Sequence, residues 1–511
     1  MGNCLFQCNF QLKIKTLMKN TFTFLFLFLF ITASNSQNVE IPVDTTVTTN
    51  HSVKINGNNI KYSATTGTQP LWDKDGKPIA SLFYTYYKRS DVKNTENRPL
   101  VISFNGGPGS ASVWMHIAYT GPRVLKIDDE GFPVQPYGIK ENPHSILDVA
   151  DIVYVNPVNT GYSRAIPDKD GKVDREKFFG VNSDISYLAE WLNTFVSRNE
   201  RWLSPKYLIG ESYGTTRVSG LALELQNSQW MYLNGVILVS PTELGVERGG
   251  PVSVANRLPY FAAAAWYHEA LPAKLQEMKL KNLLEEVENY SINELLPVLV
   301  KGGFTATDKK EAVAEQMAYY SGISKEVILQ NNLDVSYRYF WKELKRKEGL
   351  TIGRLDSRYL GIDAKEAGTS PDYNAELTSW LHSFTPAINH YLREDLNFKT
   401  DLKYYMFGPV HPWDRSGNNT GENLRQAMAQ NPNLDVMIQS GYFDGATTYF
   451  NAKYTMWQLD QSGKLKDRLS FKGYESGHMM YLRAEDLKNA NQDIREFIIN
   501  SLPEEGVPAK Y

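Results

Sequence analysis

Tyr207-Leu208-Ile209-Gly210-Glu211-Ser212-Tyr213-Gly214 is the stretch that decides the fold of this chain. Its three leading apolar residues read as the end of a buried strand, and the run opening at Tyr213 reads as a helix. Gly210 and Gly214 let strand and helix approach in a sharp turn, which pushes the Ser212 hydroxyl out at its tip. A serine displayed in this way is a candidate nucleophile, but a weak one until a base takes its proton. The remaining sequence must then supply a histidine, an acid and amide donors for an oxyanion.

Short apolar runs bounded by Gly, Pro or Asn surround the turn, at 100–104, 152–155 and 233–239. They predict buried parallel strands, with a further strand at 82–87. Between two of them Ile185, Leu188, Ala189, Leu192, Phe195 and Val196 recur at helical spacing. Residues 37–80 are polar, rich in Thr, Asn and Gly, with a turn expected at Asp75-Gly76. From about 245 to 400 the runs 259–270, 273–287 and 309–321 predict helices, and buried strands are scarce. The basic run 342–347, interleaved with Glu343 and Leu344, reads as a solvated helix face. Strand and helix alternate again afterwards: strands at 435–439 and 468–471, helices at 447–459 and 484–499. Leu487, Ile494, Phe497 and Ile498 mark the buried face of the last helix.

The base is sought after the last strand, because in a strand–turn–helix site of this kind the order along the chain is Ser, acid, His. His478, in Glu475-Ser476-Gly477-His478-Met479, is placed there, whereas His390 and His411 come too early and read as ordinary packing or surface residues. Asp444 closes the strand before it, in Ser440-Gly441-Tyr442-Phe443-Asp444-Gly445. Its task would be to fix the imidazole tautomer and stabilise the imidazolium. Asn105-Gly106-Gly107-Pro108-Gly109-Ser110 follows an early strand. It lacks the lysine pattern of a phosphate cradle and reads as an oxyanion hole. The donors would be the amides of Gly107 and Tyr213. These elements predict an α/β-hydrolase fold, a mostly parallel central sheet flanked by helices with an inserted helical cap. The expected divisions are a signal peptide over 1–36, core over 37–244, cap over 245–400 and core again over 401–511.

Asn-Gly-Gly-Pro-Gly, Gly-Glu-Ser-Tyr-Gly and Gly-His-Met, in this order, resemble the serine carboxypeptidases. Asn156-Pro157-Val158-Asn159-Thr160-Gly161-Tyr162-Ser163, the helix leading to the elbow and the loop 440–444 are similar to the same family. The resemblance implies release of single C-terminal residues from peptides through an acyl-enzyme on Ser212. A serine esterase or acyltransferase would use the same machinery. It further implies that Asn105 and Glu211 bind the terminal carboxylate of the substrate. Glu211 fits that role when protonated, since an acid facing a like charge has its pKa raised. The chain departs from the family at Phe104, where Trp is usual, and at Ser110, where Cys is usual. Asn156 and Asn159 stand in place of Asp and Gly.

The 511 residues carry a net charge of −3, which argues against a nucleic-acid partner. Lys13, Lys15 and Lys19 precede a run of about ten apolar residues, and Ala33-Ser34-Asn35-Ser36 follow it. That order predicts a signal peptide cleaved near Ser36 or Gln37, with Met18 as an alternative start. The run is short for a membrane span, so export to the periplasm or exterior is expected, without stable membrane insertion after cleavage. The two cysteines, Cys4 and Cys8, lie upstream of the cleavage point, so the mature chain has no disulfide. No metal or cofactor is implied. The expected partner is a peptide with a free C-terminus; oligomeric state is not readable from the sequence.

Overall fold

The computed structural model describes residues 39–504, 506–508 and 510. The expected signal peptide and both cysteines lie outside these residues. The chain divides into two units, Met1–Val39 and Glu40–Tyr511. Of the first unit only Val39 is described, and it is exposed.

The second unit is built on a twisted sheet whose main strands are β1 (Thr46–Ile55), β2 (Asn58–Trp72), β3 (Pro78–Arg89), β4 (Leu100–Phe104), β5 (Asp151–Val155), β6 (Lys206–Glu211), β7 (Gly235–Val239), β8 (Asp435–Gly441) and β9 (Leu469–Tyr474). Their spatial order is β1-β2-β3-β5-β4-β6-β7-β8-β9, and Arg164–Ala165 adds a short strand beside β3. The pairs β1·β2, β2·β3 and β3·β5 are antiparallel. From β5 to β9 every pairing is parallel. The chain crosses from β4 to β5 and back to β6, so β4 sits between them. Loops leaving the carboxyl ends of parallel strands are where such sheets build their sites.

The parallel strands β4 to β8 are buried on both faces, whereas the edge strand β9 is mostly half-buried. Alternate residues sort to opposite sides, as a period of two demands. Val101, Ile152, Tyr207, Ile209 and Ile237 join one core with Ile494 and Ile498 of the last helix, Ala484–Asn500. Ile102, Val153, Leu208 and Val236 join another with the helices Val181–Arg198 and Tyr213–Ser228. All six residues expected at helical spacing in Val181–Arg198 are buried, and in the last helix Phe497 is only partly so.

One element was not read from the sequence, and two local readings need correction. Residues 46–72 form the long hairpin β1–β2. On β1 only Val53 and Ile55 are buried, so one face stays in solvent and the polar composition hid the strand. Asn56-Gly57, both at positive φ, make its turn. The run 273–287 is two helices, Ala273–Gln276 and Leu280–Tyr290. Lys342, read as part of a solvated face, is buried and paired with Asp363.

Residues between β7 and β8 are mainly helical and carry their own core, in which Phe261 stacks on Phe340 at 4.0 Å. Two short strands, Thr351–Ile352 and Leu360–Gly361, pair within this segment. The connection between them, loop 353–358, reaches the sheet's carboxyl edge.

Candidate active site

Ser212 stands between β6 and the helix Tyr213–Ser228 with φ 57° and ψ −124°. This is a backbone conformation that side chains other than hydrogen rarely adopt. The close packing around it explains the glycines. A Cβ on Gly210 would lie 2.2 Å from the Gly214 carbonyl oxygen. One on Gly106 would lie 2.4 Å from the Tyr213 nitrogen, so the glycine loop can touch the elbow only without a side chain there.

His478 follows β9, and Asp444 follows β8. The Asp444 Oδ2 lies 2.7 Å from His478 Nδ1. The same oxygen accepts from the Thr447 hydroxyl at 2.7 Å, while Oδ1 accepts the amides of Ala446 (2.8 Å) and Thr447 (3.1 Å). The His478 backbone is held on both sides: its amide donates to the Leu355 carbonyl (2.7 Å), and its carbonyl accepts from the Ser240 hydroxyl (2.8 Å). Burial disfavours the imidazolium. The Asp444 carboxylate, through charge and hydrogen bond, outweighs it with help from Glu211, and the pKa of His478 lies above its ordinary value.

Ser212, His478, Glu211, Gly106 and Gly107 line one cavity of about 230 Å3. Its other walls are largely apolar, formed by Trp114, Leu355, Leu377, Trp380, Phe407 and Met479. Gly107 has φ +105° in the glycine loop. Tyr213 opens its helix, so its amide has no carbonyl one turn earlier to bond. The structure therefore brings the expected serine, histidine, glycine loop and acid to one place at the sheet's carboxyl edge.

Glu211 is almost fully buried where it meets the cavity. Asn105 Nδ2 donates to its Oε1 at 2.9 Å, and the Tyr481 hydroxyl donates to its Oε2. Both donors favour the carboxylate, and so does the neighbouring His478; burial opposes them and wins, pushing the pKa up to about 7. Asn105 is fully buried and meets the Met115 amide through Oδ1. It reaches the cavity's edge through its bond to Glu211.

The family model for serine carboxypeptidases matches residues 71–472. The chain belongs to the serine carboxypeptidase family. Among curated members it is 28% identical to serine carboxypeptidase-like 8 of Arabidopsis thaliana over 187 residues, 35% of this chain and 40% of that protein. It is 30% identical to serine carboxypeptidase-like 19 of the same plant over 181 residues, 34% of this chain and 35% of that protein. The chain thus spans less than half the length of either relative in alignment. A solved prohormone-processing carboxypeptidase from Saccharomyces cerevisiae has a TM-score of 0.49 at 14% identity, covering 86% of this chain and 92% of that one.

Against this family background two of the departures have local explanations. Ser110, in place of cysteine, accepts the Trp114 indole N–H at 2.8 Å and lines the cavity. Asn156, in place of aspartate, accepts the Ser112 amide at 2.7 Å, and the Ser112 hydroxyl in turn accepts the Asn105 amide at 3.3 Å. Segment 156–163 is therefore a support for the glycine loop.

Several residues around the site were not read from the sequence. Arg217, fully buried one turn into the helix after Ser212, is paired with Asp184 at 2.7 Å. Its guanidinium donates to the Asn105 carbonyl at 2.7 Å, tying the glycine loop to the helix. Loop 353–358 inserts between the acid and histidine loops. The Gly445 amide donates to the Arg354 carbonyl (3.0 Å), Ser357 N–H to the Phe443 carbonyl (3.0 Å), and Arg358 to the Ser476 hydroxyl (3.0 Å). Buried Glu376 accepts the amides of Leu355 (2.9 Å) and Arg354 (3.2 Å). The helical segment thereby braces both Asp444 and His478. Tyr481, three residues beyond His478, stacks on Tyr119 at 4.5 Å. Its signal was its nearness to His478 in sequence, but only the fold aims its hydroxyl at Glu211.

Proposed function

We propose that this protein is an exported serine carboxypeptidase that removes single residues from the C-termini of peptides. The observation that carries the reading is Glu211, a buried carboxyl bonded to Asn105 and Tyr481, in the cavity that holds Ser212 and His478. Ser212 attacks the last peptide carbonyl, and His478 takes its proton and passes it to the leaving amine. Asp444 orients the imidazole, and the Gly107 and Tyr213 amides receive the oxyanion. The acyl-enzyme is then hydrolysed by water. Protonated Glu211 donates to the substrate's terminal carboxylate, with Asn105 holding it in place and contributing its amide. Residues 245–400 act as a cap over a core formed by 37–244 and 401–511. The N-terminal 36 residues direct export and are removed; among the described residues no helix is long and apolar enough to cross a membrane.

Two peptides that differ only in a free or amidated C-terminus test the reading. The free acid should turn over at least a hundredfold faster in kcat/KM, because an amide leaves the Glu211 proton without its charged acceptor. Equal turnover would favour the esterase or acyltransferase alternative.

The reading also fixes a pH dependence. Glu211 must hold its proton and His478 must be without one, so the productive state is a window between two ionisations. Because the folded-state pKa of Glu211 is raised, its proton is bound below about 7 and lost above it. For free-acid peptides kcat/KM should fall about tenfold per pH unit beyond that point. Glu211→Gln keeps a neutral donor at every pH, and the alkaline fall should disappear. A profile with the same alkaline limb in the variant would remove Glu211 from this role.

A further inference from the structure

Among the described residues, Arg354 is the one guanidinium or ammonium side chain that lines the cavity. It is exposed, and its guanidinium has no ion pair or hydrogen bond among the described residues. Its main chain is nevertheless fixed, the amide on the Glu376 carboxylate at 3.2 Å and the carbonyl on the Gly445 amide at 3.0 Å. Leu355, next to it, accepts the His478 amide. The residue thus extends from a braced loop whose two neighbours are the acid and histidine loops. The cost of this placement is electrostatic: Arg354 disfavours the imidazolium that His478 must become during acylation. An anion settling on Arg354 would neutralise that effect. The C-terminal carboxylate has its own reader in Glu211, so the anion that remains for Arg354 is a side chain.

We propose that Arg354 makes this site selective for peptides with an acidic side chain on one of the two residues flanking the scissile bond. The inference rests on the carboxypeptidase reading and names the substrate class of that site. Away from Ser110, Glu211, Ser212 and His478 the cavity wall is largely apolar. It accepts the methylene part of a Glu side chain while Arg354 takes the carboxylate in a planar, two-point hydrogen bond.

The test uses the full chain and two pairs of N-blocked peptides, one pair ending Glu-Leu or Gln-Leu, the other Leu-Glu or Leu-Gln. In one pair Glu should be preferred over Gln by about tenfold in kcat/KM. The preference should shrink in 1 M salt, where an exposed ion pair is screened within about 3 Å. Arg354→Gln should bring that ratio to about one, and Arg354→Glu should invert it. The ratio is internal to each variant, so partial misfolding does not imitate the result. A ratio near one in both pairs for the unaltered protein, or one unchanged by Arg354→Gln, overturns the proposal while leaving the carboxypeptidase reading intact. Absence of cleavage of all four peptides, with hydrolysis of a simple ester retained, overturns both.

Discussion

Ser212→Ala should lower kcat on a free-acid peptide by about a millionfold, leaving the fold and the ability to bind that peptide in place. The size follows from what the hydroxyl does. On the proposed mechanism no acyl-enzyme forms without it, and His478 and the amide donors have nothing to activate or stabilise except water. Near-complete loss with a normal far-ultraviolet spectrum and normal unfolding is the expected pair of measurements. Residual turnover above a thousandth of the original would mean that another group is the nucleophile. A companion variant separates chemistry from architecture. Ser212 sits at φ 57° and ψ −124°, a strained conformation that alanine inherits and glycine does not. Ser212→Gly should be just as inactive yet more stable than Ser212→Ala by about 1 kcal/mol, even after glycine's entropic penalty. Equal stability of the two would mean that the elbow stores no strain.

That strain also explains why the fold could be read so far from one turn. A sharp strand-to-helix junction needs small neighbours, and Gly210, Gly214 and Gly106 are small because a Cβ at each would strike backbone. Steric demands of this kind are written in residue identity. So is chain order, which led to Asp444 and His478 as the candidate partners of Ser212. The inner parallel strands were legible because burial on both faces leaves continuous apolar runs. The β1–β2 hairpin was not, since its solvent face is polar, although Asn56-Gly57 held the turn signal.

Residues that matter through spatial convergence left no local mark. Arg217 and Asp184 lie 33 positions apart on two helices and meet to hold the Asn105 carbonyl. Glu376 and loop 353–358 come from the helical segment where sequence patterns showed only amphipathic runs. Tyr481 reads in sequence like other buried tyrosines, and only the fold sets its hydroxyl on Glu211. Lys342 shows the reverse failure: a basic run invites a solvated reading, and Asp363 with the Lys365 carbonyl makes burial of one member affordable. The pKa of Glu211 combines both kinds of information. The resemblance implied that it is protonated against a substrate charge. The fold raises it before any substrate arrives, by burial.

Asp444→Asn should lower kcat about ten-thousandfold while the fold survives. The orientation of the new amide is dictated by the loop. The Oδ1 position receives the amides of Ala446 and Thr447. A side-chain NH2 placed there would face two donors, so the carbonyl must take that position and the NH2 must take the other. It then points at His478 Nδ1, which lies 2.7 Å from Asp444 Oδ2 in the native chain. Nδ1 has to accept, and the imidazole proton moves to Nε2, the nitrogen that should be empty to receive the proton from Ser212. Thr447 adapts without loss, since its hydroxyl can donate to the Ser240 carbonyl at 2.9 Å while accepting from the new amide. The damage is therefore confined to the tautomer. Nitrogen NMR of the imidazole should show the proton moving from Nδ1 to Nε2, and peptide turnover should fall with it. A loss of less than tenfold, or an unchanged tautomer, would mean that Asp444 does not orient His478. The same substitution should also drop the His478 pKa, because the charge that outweighs its burial is gone. An imidazole that titrates at the native position in the variant would count against this electrostatic account.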